Sequence, residues 1–207
     1  MKMTRSLNLV MMLILPTFLG MGSLATPVTN SLGDPAIRVV GDVSPRSANT
    51  CADPSLARTV FQGFAGSILA HVLHFHYAFV NSDSKQSTGP ALWTFQGPVG
   101  KAWPTQQAFT MPLFRLTNPT NSDFIFMVGA DAQTPPTVKG FSATAVDLVA
   151  WVYDTAVCDS VPLMSAVLAA QSDHYYTTDP DEHAALLAAG DWTDGGVVAF
   201  VLPLPTL

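Results

Sequence analysis

The period of the apolar positions changes twice between Val161 and Leu202, and the changes mark four elements. Val161 to Leu168, Asp173 to Thr177 and Gly196 to Leu202 are short runs of apolar, β-branched or aromatic residues bounded by turn formers, and each predicts a strand. Between the last two, Ala184, Ala185, Leu186, Leu187, Ala188 and Ala189 form a block of strong helix formers. Its start is well marked. Asp179 suits the N-cap and Pro180 the first helical position, and Glu182 stands three residues after the cap, where its carboxylate can reach the cap amide. Gly190 follows as a residue able to take positive φ. The order predicted is strand, strand, helix, strand.

Parts of this pattern recur about 50 residues earlier. Met111-Pro112-Leu113-Phe114 returns as Val161-Pro162-Leu163-Met164, Ser122-Asp123-Phe124 as Ser172-Asp173-His174, Gly140 as Gly190, and Val149 to Tyr153 as Val198 to Leu202. A fainter copy runs through Thr59-Val60-Phe61, His71 to Phe79, Trp93 to Gly97 and Gly100 to Pro104. Three units follow, over about 51–108, 109–158 and 159–207. Pro135-Pro136 and Gly89-Pro90 interrupt the place of the helix in the other two, so loops or short turns are expected there. A unit this small cannot bury its apolar face alone. The expected fold class is therefore α+β and strand-rich, with three repeats of strand-strand-helix/loop-strand around a pseudo-threefold axis. A β-trefoil-like or small propeller-like closure is the alternative.

The first 25 residues have the parts of a secretory signal: basic Lys2 and Arg5, an apolar run from Leu7 to Leu19, and a small-residue exit at Ser23-Leu24-Ala25. That run is shorter than the ~20 residues a spanning helix needs. Residues 26–50 read as an extended lead or pro-segment, with Pro45-Arg46 as a weak processing signal, and 51–207 as a single domain. Loss of Lys2 and Arg5 with the leader takes the formal charge from −6 to −8, which argues against nucleic acid or an anionic membrane as partner. Cys51 and Cys158 are the two cysteines, and in an exported chain they favour one disulfide over a metal site, since tetrahedral zinc wants four closely spaced ligands.

The motifs PLFRL with SDF, and SDHYYTT followed by Glu182, Gly190, Trp192 and GVVAFVLP, resemble a repeat family of unknown function found in secreted proteins of fungi and bacteria. Units of that family read PLYRLY, DHFYTT and EGIAGYV. The third unit here matches best, through Asp173, His174, Tyr175, Tyr176, Thr177, Thr178, Glu182, Gly190, Trp192, Gly196, Ala199 and Val201. Cys51-Ala52-Asp53-Pro54 and Cys158 resemble the flanking cysteines of fungal members. The resemblance implies a three-repeat extracellular module, sometimes appended to cell-wall-degrading enzymes in bacteria, and supplies no catalytic residues. The first unit lacks DHFYTT, the second has Asp123-Phe124-Ile125-Phe126-Met127-Val128 in its place, and the third opens with Met164-Ser165-Ala166 where the family has YRL.

Candidate chemistry is sparse. Asp173 and His174 are neighbours in a strand and face opposite sides, so they do not make an acid–base dyad with each other. Glu182 is the sole glutamate and has a capping task, which leaves a glycosidase pair without support. In a strand, His74 and His76 share a face, with Phe75, Tyr77 and Phe79 on the other, but no third metal ligand stands at a convincing local position. Neither a phosphate loop nor a dinucleotide fingerprint occurs, and no cofactor is expected. The aromatic residues are the better clue: Trp93, Trp103, Trp151, Trp192, Tyr175 and Tyr176 recur at unit-equivalent places, either as core between units or as stacking faces for a sugar ring. The expected function is a secreted, non-enzymatic module that binds a cell-wall or surface glycan, with Asp173, His174, Tyr176 and Trp192 as ligand-binding candidates. A secreted hydrolase of a cell-wall polymer and a protein-binding effector are the alternatives.

Overall fold

Nine strands carry the fold in the computed structural model, which describes residues 51–85 and 93–205. The expected signal segment, the lead with Pro45-Arg46, and the Gly89-Pro90 interruption lie outside the described residues. Everything below concerns these described residues.

Three antiparallel three-stranded sheets follow one another along the chain. The first comprises β1 (Arg58–Ala65), β2 (Ala70–Phe75) and β3 (Thr94–Ala102); the second β4 (Met111–Thr117), β5 (Phe124–Val128) and β6 (Leu148–Val152); the third β7 (Val161–Leu168), β8 (Asp173–Thr177) and β9 (Thr193–Val201). In each, the strand that comes first in the chain lies in the middle, giving the orders β2-β1-β3, β5-β4-β6 and β8-β7-β9. The tight turns into β2, β5 and β8 each pass through a left-handed residue, at Leu69, Asn121 and Ser172. For a leucine that backbone is unfavourable, so the pairing of β1 with β2 must hold it there.

The α+β repeat expected from the sequence is not the architecture. Among the described residues there are two α-helices, α1 (His76–Lys85) after β2 and α2 (Pro180–Ala188) after β8, so a strand-strand-helix unit does not run through all three sheets. The second sheet has only a 3-10 turn, Ala145–Asp147, ahead of its last strand. Of the two, α2 is peripheral and buries none of its residues, whereas α1 contributes Phe79 to the core. Strand pairing and strand-borne side chains make the core. Nor does the structure bear out the expectation of a loop between β2 and β3, because α1 begins directly at the end of β2.

That error has a readable cause. A short apolar run fits either a strand or a helix by periodicity alone. Taken as a strand, Phe75, Tyr77 and Phe79 would share one face. The structure instead buries Phe75 and Phe79, four positions apart, and leaves Tyr77 63% exposed, which is helical spacing. Gly63 on β1 makes the docking of α1 feasible, because a Cβ there would stand 2.6 Å from the Phe79 ring.

The sheets are joined to one another at the ends of their last strands. Lys101 and Leu202 exchange backbone hydrogen bonds of 2.8 and 2.9 Å, Trp103 and Trp151 bonds of 3.0 and 2.8 Å, and Tyr153 and Phe200 bonds of 3.0 and 2.8 Å. Each sheet is thereby tied to both others. The main core fills the space between them with Val72, Leu73, Phe75, Leu113, Phe126, Val152, Leu163, Tyr176 and Val201, among others. A second cluster lies under the start of the domain and holds Ala52, Ala57, Trp103, Trp151 and Tyr153. There the Tyr153 hydroxyl accepts from the Ala52 amide at 2.9 Å, and the Trp103 indole donates to the Asp53 carbonyl at 2.7 Å. Cys51 and Cys158 form a disulfide across it, with Cα atoms 5.7 Å apart. No helix among the described residues is long and apolar enough to cross a membrane.

Candidate functional site

The strand β8 carries the residues that looked most chemical, and its pleat sends them to different neighbours. Asp173 is only 4% exposed. It accepts from the His71 backbone amide at 2.9 Å, and the His71 Nδ1 donates to its carboxylate at 2.8 Å, which ties the third sheet to β2 of the first. His174, next along, turns the other way, and its Nδ1 donates to Asp123 at 2.8 Å, tying the third sheet to the second. Asp173 and His174 are thus two ends of two separate inter-sheet ties. Asp123 was not among the sequence candidates, although it heads the segment that corresponds to Asp173, and that parallel was the available signal.

Tyr176 is 1% exposed, and its side chain lines, with His174, a cavity of about 470 Å³ between the second and third sheets. Its amide donates to Gln62 Oε1 at 2.9 Å, its hydroxyl donates to the Phe124 carbonyl at 3.1 Å, and its ring meets Phe126 edge to face at 5.1 Å. Burial, then the Asp123 carboxylate, push its phenol far above the ordinary value. Three of the four proposed ligand residues therefore hold sheets together. Trp103 and Trp151 are core residues as well.

Trp192 differs. It is half-buried, and Tyr175, also half-buried, meets it at 6.2 Å with the rings near perpendicular. The Tyr175 hydroxyl donates to Glu182 Oε1 at 2.9 Å, joining α2 to the ring pair. Burial, followed by that carboxylate, raises the Tyr175 phenol to about 12, so it remains a neutral donor. The exposed carboxylates Asp191 and Asp194 flank Trp192 in sequence. The patch combines two aromatic faces with acceptors, and its position follows from local sequence: Asp179 caps α2 by accepting from the Asp181 and Glu182 amides, and Gly190, at φ 90°, turns the chain toward Trp192.

The paired histidines do not share a strand face, because β2 stops at Phe75. His74 remains on the strand, where its Nδ1 accepts from the Phe75 amide at 2.8 Å, while His76 opens α1 and lies near Phe61 and Phe95. No group of three His, Cys, Asp or Glu able to hold a metal occurs among the described residues. Burial and then the nearby Arg115 guanidinium push the His74 imidazole down from 6.5 to about 4. Between those values the unfolded chain takes up a proton that the folded one refuses, so stability falls as pH drops from about 6.5 toward 4. The expected loss from this residue is about 2 to 3 kcal/mol by pH 4.5. Urea unfolding of the wild type and His74→Gln at pH 7 and 4.5 measures it: the variant should lose less on acidification, and equal losses would remove His74 from the account.

A family model described as Domain of unknown function (DUF5648) matches residues 61–202. The chain belongs to this family. No curated protein and no solved structure matches it. The matched segment of the DUF5648 domain runs from within β1 to just past β9, so it contains both inter-sheet ties, α2 and Trp192, and leaves Cys51 outside.

Proposed function

We propose that this DUF5648 domain is a secreted, non-enzymatic module that binds a neutral glycan of a cell wall or cell surface at Trp192 and Tyr175. The single observation that carries the reading is the half-buried aromatic pair beside the Glu182 carboxylate, with exposed Asp191 and Asp194 flanking Trp192 in sequence. Aromatic faces take the C–H side of a sugar ring, and carboxylates accept from its hydroxyls. The same carboxylates disfavour acidic sugars. A hydrolase has less support, because Asp173 and His174 are committed to separate buried partners and Glu182 is engaged with Tyr175. Secretion is supported by the signal-like first 25 residues and by the disulfide.

Pull-down against chitin, glucan and peptidoglycan, followed by titration with soluble fragments, tests the proposal. Saturable binding to a neutral polymer is expected, with Trp192→Ala weakening it by about tenfold or more, the size of one lost stacking contact. Product release that disappears in His174→Ala would favour the hydrolase instead. Binding unaffected by Trp192→Ala would remove this patch as the site.

A further inference from the structure

The first sheet carries a second concavity whose chemistry is opposite to that of the Trp192 patch. It is a groove of about 950 Å³ between β1, the start of α1 and β3, within the ~300–1,000 Å³ range of small-molecule sites. Three rings form its wall: Phe61 and Phe95 meet edge to face at 5.9 Å, and His76 lies 5.2 Å from Phe95 and 5.9 Å from Phe61. Tyr77 is 63% exposed and Phe95 42% exposed at its margin. Contiguous exposed aromatic surface of this kind is rare on a protein unless something covers it.

Charge narrows the occupant. Arg58 lines the groove and is exposed, and no Asp or Glu is among the lining residues. The ion pairs among the described residues do not include Arg58. In a chain with formal charge −6 this is a local positive spot beside apolar rings. A guanidinium presents a planar fork that fits a carboxylate with two parallel hydrogen bonds. The Phe61 and Phe95 rings, set at 84° to each other, offer a flat aromatic body more contact than a puckered sugar, and no carboxylate lines the groove to accept from a sugar's hydroxyls.

We propose that this groove binds an aromatic monocarboxylate, its ring system packed against the wall formed by Phe61, Phe95 and His76 and its carboxylate paired with Arg58. Gln96 lies at the polar margin of the same groove. The site is separate from the glycan patch and does not depend on it.

Calorimetric titration with 2-naphthoate and its uncharged analogue 2-naphthamide tests the assignment on the full secreted protein. One saturable site is expected, with naphthoate binding at least tenfold more tightly than the amide. Arg58→Gln should abolish that difference, and Phe95→Ala should weaken both ligands by tenfold or more. Both side chains are exposed, so the variants should melt close to the wild type. The comparison of the two ligands on unaltered protein stands even if a variant misfolds. Equal affinity for the two ligands, absence of saturable binding, undiminished binding by folded Phe95→Ala, or displacement of naphthoate by a neutral oligosaccharide would each overturn the proposal.

Discussion

Replacing Cys51 and Cys158 together by alanine should lower the unfolding free energy by about 4 to 5 kcal/mol, because the bridge closes a separation of 107 residues and a loop of that length restricts the unfolded chain strongly. The native state adds to this. Cys51 is followed by Ala52 and Asp53, which bond to Tyr153 and Trp103, so the bridge also anchors the segment covering the second core cluster. For a domain of this size the melting temperature should fall by about 10 to 15 °C. Chemical unfolding of the oxidised wild type against the double variant is the measurement, and a loss below about 1 kcal/mol would mean that the two clusters hold the segment without the bridge. The tryptophan emission should report the same event, since Trp103 and Trp151 both lie in that cluster.

Asp173→Ala should cost about 3 to 5 kcal/mol, the usual penalty for removing one partner of a buried charge-assisted pair. The change strips an acceptor from the His71 amide and from the His71 ring at once, and both are buried between the first and third sheets. The structure suggests how the loss can be reduced. Of the strand starts that correspond to Asp173-His174, β2 begins with Ala70 and β5 with Phe124, and both of these residues are buried in the main core. The corresponding strand starts in the other two sheets thus carry an apolar residue. Replacing both members of a buried pair by apolar groups is far cheaper than replacing one. The double variant Asp173→Ala/His71→Phe is therefore expected to be more stable than Asp173→Ala alone. A double variant that is less stable than the single would show that this tie depends on its polar groups individually.

How much of this was legible in the sequence varies by element. The third sheet and its helix could be read closely, because capping residues, a helix-forming block and a terminal glycine all agree there. The Cys51–Cys158 pair followed from the count of cysteines together with the reading of the first 25 residues as a signal segment. The first sheet was read poorly. His74 to Phe79 has the alternation of a strand, and only the burial of Phe75 and Phe79 against the other sheets turns it into the junction of β2 and α1. The expected α+β class gave weight to the one helix that the sequence signals well, whereas three three-stranded sheets carry the structure.

The candidate site was legible in outline only. Asp173, His174 and Tyr176 were correctly marked as unusual, yet which residues they meet was not encoded near them. Their partners His71, Asp123 and Gln62 are 102, 51 and 114 residues away. Local sequence determined the strands of the third sheet, the capped helix and the place of Trp192 beside its carboxylates, because those depend on backbone preference and on neighbours within a few positions. Tertiary structure alone decided that Asp173 and His174 join sheets, that Tyr176 is core, and that Phe61, His76, Phe95 and Arg58 converge on one groove, since each of these depends on which distant strands pack together and what their side chains bury.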